Sequence, residues 1–182
     1  MEDWIASLPK NERKFVRGWT TDELAGRIES VVEERSTENG KKVYQELGCI
    51  QCHRIADEGG GAGPDLTRIA TKLTPAQIVQ SIVEPSATIA PEYTLTMLTT
   101  TDGRVVTGRI EFENEDLIRL RSPQSFDVPI TIPTAEIDAR ALSKVSMMPA
   151  EMLNTCSEEE IFDLVSYLLS VSKNANVDTS SP

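Results

Sequence analysis

The chain has 182 residues, 39% apolar and 26% charged, with 29 acidic against 18 basic side chains and a net charge of −11. That length suits one domain of ordinary size, or a small domain with an insertion, and can bury a core without disulfide staples. The chain has no run of eighteen apolar residues with which to span a bilayer, the acidic excess argues against nucleic-acid binding, and a single histidine excludes any site needing two imidazoles.

Residues 1–19 mix Trp, Pro, Gly and charges without a sustained period and read as an irregular or short-helical arm. The opening Met1-Glu2-Asp3-Trp4 lacks a basic stretch followed by an apolar one, so no secretion signal is expected here. The segment then reads either as cytoplasmic or as a piece of a longer exported chain. Thr20 and Glu23 form a capping-box pattern that opens a helix to about Arg35. Leu24, Ile28, Val31 and Val32 fall on one face of it.

A second helix is predicted from Glu38 to Leu47, with Gly40, Val43, Tyr44 and Leu47 along one side and Gly48 as its stop. Cys49 to Pro64 is rich in glycine and reads as a loop. Thr74 as N-cap and Pro75 in the first turn open a short helix containing Ile78, Ile82 and Val83, which Pro85 and Pro91 end.

The period then changes from helical to alternating. Residues 93–100, 105–113, 117–121 and 128–132 read as strands, with Asp102-Gly103 as a hairpin turn. A small antiparallel sheet or barrel is expected over about residues 92–140, and Gly108 inside a strand suggests a bulge or a close backbone approach. Helix returns after the Ser157–Glu160 capping box, with Ile161, Leu164, Val165 and Leu168 as its buried stripe. Residues 174–182 read as a polar tail. Charge is uneven: residues 37–90 carry 6 acids against 5 bases, and residues 91–182 carry 15 against 7.

Chemistry concentrates at Cys49-Ile50-Gln51-Cys52-His53, the C-x-x-C-H signature of c-type haem attachment. Two thiols three residues apart can each bond one of the two vinyl groups on one edge of the macrocycle, and the next residue is a ligand for the iron. A thioredoxin-like dithiol wants a βαβ context that is missing here. A structural zinc site wants four ligands in separated pairs, and Cys156 is the one spare candidate.

Because His53 is the single histidine, a distal iron ligand in this chain must be something else. Met1, Met97, Met147, Met148, Met152, a lysine, a tyrosine, Cys156 and an open position are the alternatives. Cys156 reads as a small buried hydrophobe, and Lys41, Lys42, Arg54, Arg68 and Lys72 as a solvated or docking rim around the motif.

A helix, C-x-x-C-H, Gly63-Pro64-Asp65-Leu66, Met147-Met148-Pro149 and a final helix with Tyr167-Leu168 together resemble a class I cytochrome c. With Gly40-Lys41, Glu84-Pro85-Ser86, Tyr93, Asp102-Gly103-Arg104, Thr107-Gly108 and Ser146, the chain is most similar to the Pirellula/Verrucomicrobium-type haem-binding domain. The resemblance implies a mainly α cytochrome c fold with an inserted small antiparallel β-sheet or barrel subdomain, α+β overall. The expected organisation is an arm at 1–37, a haem-attachment half at 38–91, a β-rich insertion at 92–142, a distal loop and C-terminal helix at 143–173, and a disordered tail at 174–182.

It further implies one covalent haem c, thioethers at Cys49 and Cys52, and His53 as proximal ligand with its other ring nitrogen bonded to the Pro64 carbonyl. Leu66 would pack on the haem face, with Met148 as distal ligand and Met147 as fallback. The implied function is one-electron transfer without catalysis of its own, in a periplasmic or otherwise exported module serving a redox partner or a fused dehydrogenase domain. A haem-based ligand sensor or peroxidase-like site with a labile sixth position, and an interaction module docking a redox partner through the β segment, are the alternatives.

Overall fold

The computed structural model describes residues 13–122 and 125–177, so residues 1–12 of the arm and the end of the tail lie outside the described residues. Residues through Glu84 together with those from Ala150 onward form one compact unit, and Pro85–Pro149 form a second.

The first unit is helical. Helix α1 (Thr21–Val31) begins at the Thr20–Glu23 capping box and runs on into a 3-10 turn at Val32–Glu34. Helix α2 (Thr37–Glu46) is capped by Ser36 and ends at Leu47, before Gly48 turns the chain with φ +75°. The stretch expected to be a plain loop contains α3, one turn over Cys49–Cys52, and a two-stranded ribbon of β1 (Arg54–Ile55) with β2 (Glu58–Gly59). Glycine content signalled irregular backbone, yet short hydrogen-bonded elements fit between the glycines. Helix α4 (Pro75–Val83) has Thr74 as N-cap, with Gln77 completing its capping box.

After the second unit the chain returns through a 3-10 turn at Met152–Thr155 into α5 (Glu158–Val177). This helix runs through residues 174–177, which the sequence assigned to a disordered tail; an established helix extends at little cost per added residue. Leu24, Ile28, Val43, Tyr44, Ile78, Val79, Leu153, Ile161, Leu164 and Val165 are among the side chains of one shared core. Helices α2 and α5 cross where Gly40 would place a Cβ only 2.0 Å from the Asp163 carbonyl oxygen, so no larger residue fits that contact. Asp163 is itself buried, and its carboxylate accepts from Arg35 Nε at 2.9 Å and from the Ser36 amide at 3.1 Å.

The arm is irregular over 13–20 and is tied down. Val16 N–H donates to the Asn154 carbonyl at 2.8 Å, and Trp19 Nε1 to the Cys156 carbonyl at 3.1 Å. Arg13 bonds Glu46 at 2.5 Å and Glu160 at 2.6 Å.

The second unit is an antiparallel sheet of β3 (Thr96–Thr100), β4 (Val105–Glu113), β5 (Leu117–Ser122), β6 (Ser125–Pro133) and β7 (Ile137–Leu142) in the order β6-β5-β4-β3-β7. Tyr93, read as the start of a strand, instead ends a 3-10 turn over Pro91–Tyr93, where Pro91 fixes φ and lacks an N–H. Strand β7 was not read from the sequence: nearly every residue in it is exposed, so it carries no buried face to alternate. Five flat strands would put the two edges about 19 Å apart, yet β6 and β7 are joined by only Thr134–Glu136, which spans at most about 14 Å. The sheet therefore curls, helped by register shifts at Thr99/Thr100, Ile110/Phe112 and Leu120/Ser122. Gly108 marks a close approach: a Cβ there would lie 2.7 Å from the Arg121 carbonyl oxygen.

Candidate functional site

The site grows out of the end of α2. Gly48 reverses the chain, and α3 follows as a single turn in which the His53 amide bonds the Cys49 carbonyl at 2.9 Å. Residues three apart on one helical turn share a face, so Cys49 and Cys52 lie on the same side of it. Both are free thiols. Cys49 packs against the helical core, and burial pushes its pKa up to about 12; burial raises Cys52 as well. Thiols held protonated are poor nucleophiles, the opposite of what a dithiol redox centre requires.

His53 leaves the turn in extended conformation, and its Nδ1 lies 2.9 Å from the Pro64 carbonyl oxygen. A carbonyl can only accept, so Nδ1 is the donor and Nε2 carries the lone pair. Burial lowers the imidazole pKa against the opposing pull of the Pro64 bond, which keeps the ring neutral at pH 7. A neutral imidazole with one nitrogen committed and the other bare is the form that binds a metal.

The 59–67 segment is fastened onto this turn from several sides. Gly60 N–H donates to Ile50, Gly63 N–H to Cys52 and Leu66 N–H to Arg54, at 2.9, 2.8 and 2.8 Å. Gly63 lies flat against the imidazole, where a Cβ would come 2.6 Å from His53 Cε1. Leu66 is half-buried and packs against the helical core. From the other side, the buried Tyr44 hydroxyl donates to the His53 carbonyl at 2.9 Å while its ring meets Tyr167 at 5.7 Å.

Cys49, Cys52, His53 and Pro64 are thus brought together. Met147 and Met148 belong to the second unit; both are half-buried, and the Met148 amide bonds Ser146 Oγ at 3.1 Å. Met97 is exposed on β3, Met152 packs against the helical core, and Met1 lies outside the described residues. Cys156 is fully buried, with Arg13 at 3.6 Å from its sulfur. Lys41, Lys42, Arg54, Arg68 and Lys72 are all exposed.

Sequence reasoning put Tyr44 on a buried helix face without giving it a role. A hydroxyl in an otherwise apolar stripe was the available signal. The contacts of Gly63 and Asp163 had none, because both depend on segments distant in sequence.

The cytochrome c family model matches residues 37–120. That stretch contains the cysteine pair, His53, Pro64 and Leu66, and such a match implies a bound haem c. The chain is also 36% identical, over 66 residues, to the menaquinol:cytochrome c reductase cytochrome c subunit of Bacillus subtilis (strain 168). That alignment covers 36% of this chain and 25% of the subunit, so the chain spans about a quarter of the length of this curated relative. Both cytochrome c matches support electron transfer. Among the described residues, no helix is long and apolar enough to cross a membrane.

The donor set fits the haem group that the cytochrome c match implies. It offers two free thiols on one helical face, a neutral imidazole with Nε2 bare, and a glycine that lets the loop lie against the ring.

Proposed function

We propose that this chain is a monohaem c-type cytochrome module that passes single electrons and catalyses no reaction of its own. The observation that carries the reading is the His53 Nδ1–Pro64 carbonyl bond of 2.9 Å at the foot of the Cys49–Cys52 turn. It fixes the tautomer and leaves Nε2 for iron.

In this reading Cys49 and Cys52 would hold the haem through their sulfurs, His53 Nε2 would bind its iron, and Leu66 would pack against the group. Met148 would supply the second ligand, with Met147 as its fallback; both lie just before Ala150, where the chain re-enters the first unit. A haem held there supplies an iron couple that gains and loses one electron. The chain's own contribution is rigidity: Pro64 and Tyr44 hold His53 from the ring and from the backbone, so little has to move when the charge changes. The module is of the Pirellula/Verrucomicrobium type, with the sheet as an insertion, and belongs to a larger exported protein in which a redox partner or fused dehydrogenase domain supplies or accepts the electron.

The test is expression of the chain with a haem-c maturation system. Covalent haem that survives denaturation, a sharp low-spin α band on reduction, and loss of covalent attachment in Cys49→Ala/Cys52→Ala are expected. Met148→Ala should convert the iron to high spin while Met147→Ala leaves it low spin; the reverse pattern moves the ligand to Met147. A matured protein without covalent haem would sink the reading.

A further inference from the structure

We propose that residues 13–19 form a strap, centred on Asn154 as positioning residue, that keeps Met148 in place as the iron's second ligand. The strap's role rests on the haem reading and extends it to the residues that hold the ligand in position.

The last carbonyls of a helical turn have no partner within it. At the end of the 3-10 turn Met152–Thr155 and its C-cap Cys156, three consecutive carbonyls are taken up by the arm. Asn154 accepts from the Val16 and Arg17 amides at 2.8 and 3.2 Å, Thr155 from Arg13 Nη2 at 3.2 Å, and Cys156 from Trp19 Nε1 at 3.1 Å. The Asn154 side chain adds a further tie, its Oδ1 accepting from the Trp19 amide at 3.3 Å. Partners 135 to 142 positions apart in sequence thus converge on one turn.

The same turn is anchored from inside by Leu153 and Cys156, both buried in the helical core. Glu151, which opens it, sits at φ +65°, a backbone region that a residue other than glycine keeps only when its surroundings dictate it. Met148 lies three residues before Glu151, and Pro149 between them has φ fixed by its ring. Little rotational freedom therefore separates the turn from the methionine. Upstream, the Ser146 amide donates to Ser86 Oγ at 3.0 Å, and the Met148 amide to Ser146 Oγ at 3.1 Å. The loop is fixed at both ends, and the arm acts on the downstream one.

A looser strap raises the fraction of molecules in which the methionine is off the metal. An added ligand then binds more tightly in proportion to that fraction.

The test is a spectral titration of the matured ferric protein with imidazole. Trp19→Phe/Asn154→Ala keeps an aromatic ring and removes the Nε1 and Oδ1 ties, and its apparent Kd should fall about tenfold, the size expected for lost hydrogen bonds. Trp19→Phe alone should lower it about threefold, and it decides the matter if the double variant does not fold. Asn154→Asp retains the acceptor oxygen and should keep the parental Kd. In a Met148→Ala background the double substitution should leave Kd unchanged, because the methionine it releases is gone; a general loosening of the fold would move Kd in both backgrounds. No fall in Kd with Met148 present, or an equal fall in the Met148→Ala background, would overturn the strap alone. If Met148→Ala itself binds imidazole no more tightly than the parent, the ligand assignment fails and the strap's role falls with it.

Discussion

In the helical unit the buried side chains of α1, α2, α4, α5 and the turn before α5 share one core, whereas in the sheet unit the buried cluster comes down, among the described residues, to Leu98, Ile118, Leu120 and Ile132. The difference follows from backbone chemistry. Helices satisfy their own amides and attract one another only through side chains, so packing them takes many apolar contacts. Strands are joined by their amides, so a ladder of five can stand on a thin core while keeping much of its surface exposed. The site with His53 stands on the thick core, which suits a group that must not move.

Truncation in each core should separate the two units. Leu164 is 1% exposed within the helical core, and Leu164→Ala should cost about 3–5 kcal/mol. Leu98, fully buried, should cost about 2–4 kcal/mol as Leu98→Ala. If the units unfold separately, hydrogen exchange will show each variant loosening its own unit alone; a shared loss of protection would mean they fold as one.

A smaller effect tests how closely α2 and α5 must approach. Gly40→Ala drives a Cβ against the Asp163 carbonyl and the Tyr167 side chain, and overpacking of this kind costs about 1–3 kcal/mol. Thermal melts should fall accordingly, and the environment of the Tyr44–Tyr167 pair should change in near-ultraviolet circular dichroism. An unchanged melt would show that the helices can part freely.

The smallest effect lies in the β3–β4 hairpin. The Thr100 hydroxyl, and next to it Arg104, lower the Asp102 carboxyl from its ordinary 3.8 to about 2. A carboxyl lowered by folding contributes stability above its unfolded pKa and loses it as the pH falls through the folded one. Acid should therefore loosen this hairpin between about pH 4 and pH 2, with the Asp102 carboxyl carbon titrating near the lower end. Asp102→Asn should flatten that acid limb without touching the helical unit, and a normal Asp102 titration would contradict the contacts.

Much of the helical unit was legible because each signal is local. Thr20-Glu23 and Ser157-Glu160 act over three residues, Thr74-Pro75 are adjacent, and the stripe Ile161, Leu164, Val165, Leu168 repeats within one helix. All four stripe residues are buried. The hairpin at Asp102-Gly103 was legible for the same reason. Strand β7 was not, because an edge strand with little burial has no pattern to display, and the ribbon at Arg54–Gly59 was hidden by the glycine run that begins at Gly59.

The sequence by itself determined the chemistry of the motif, since C-x-x-C-H is a matter of residue identity and spacing and a lone histidine leaves no competing imidazole. It also determined where helices begin, because caps act over three residues. The family resemblance already implied the Pro64 carbonyl at the His53 ring, and only the tertiary structure decided what else surrounds it. Gly63 against its face comes from a loop about ten residues on, and the Tyr44 hydroxyl at its backbone comes from a helix nine residues before. Only the folded sheet set Thr96, Arg140 and Leu142 around one cavity, because strand pairing joins residues more than forty positions apart, a distance at which no local pattern carries information.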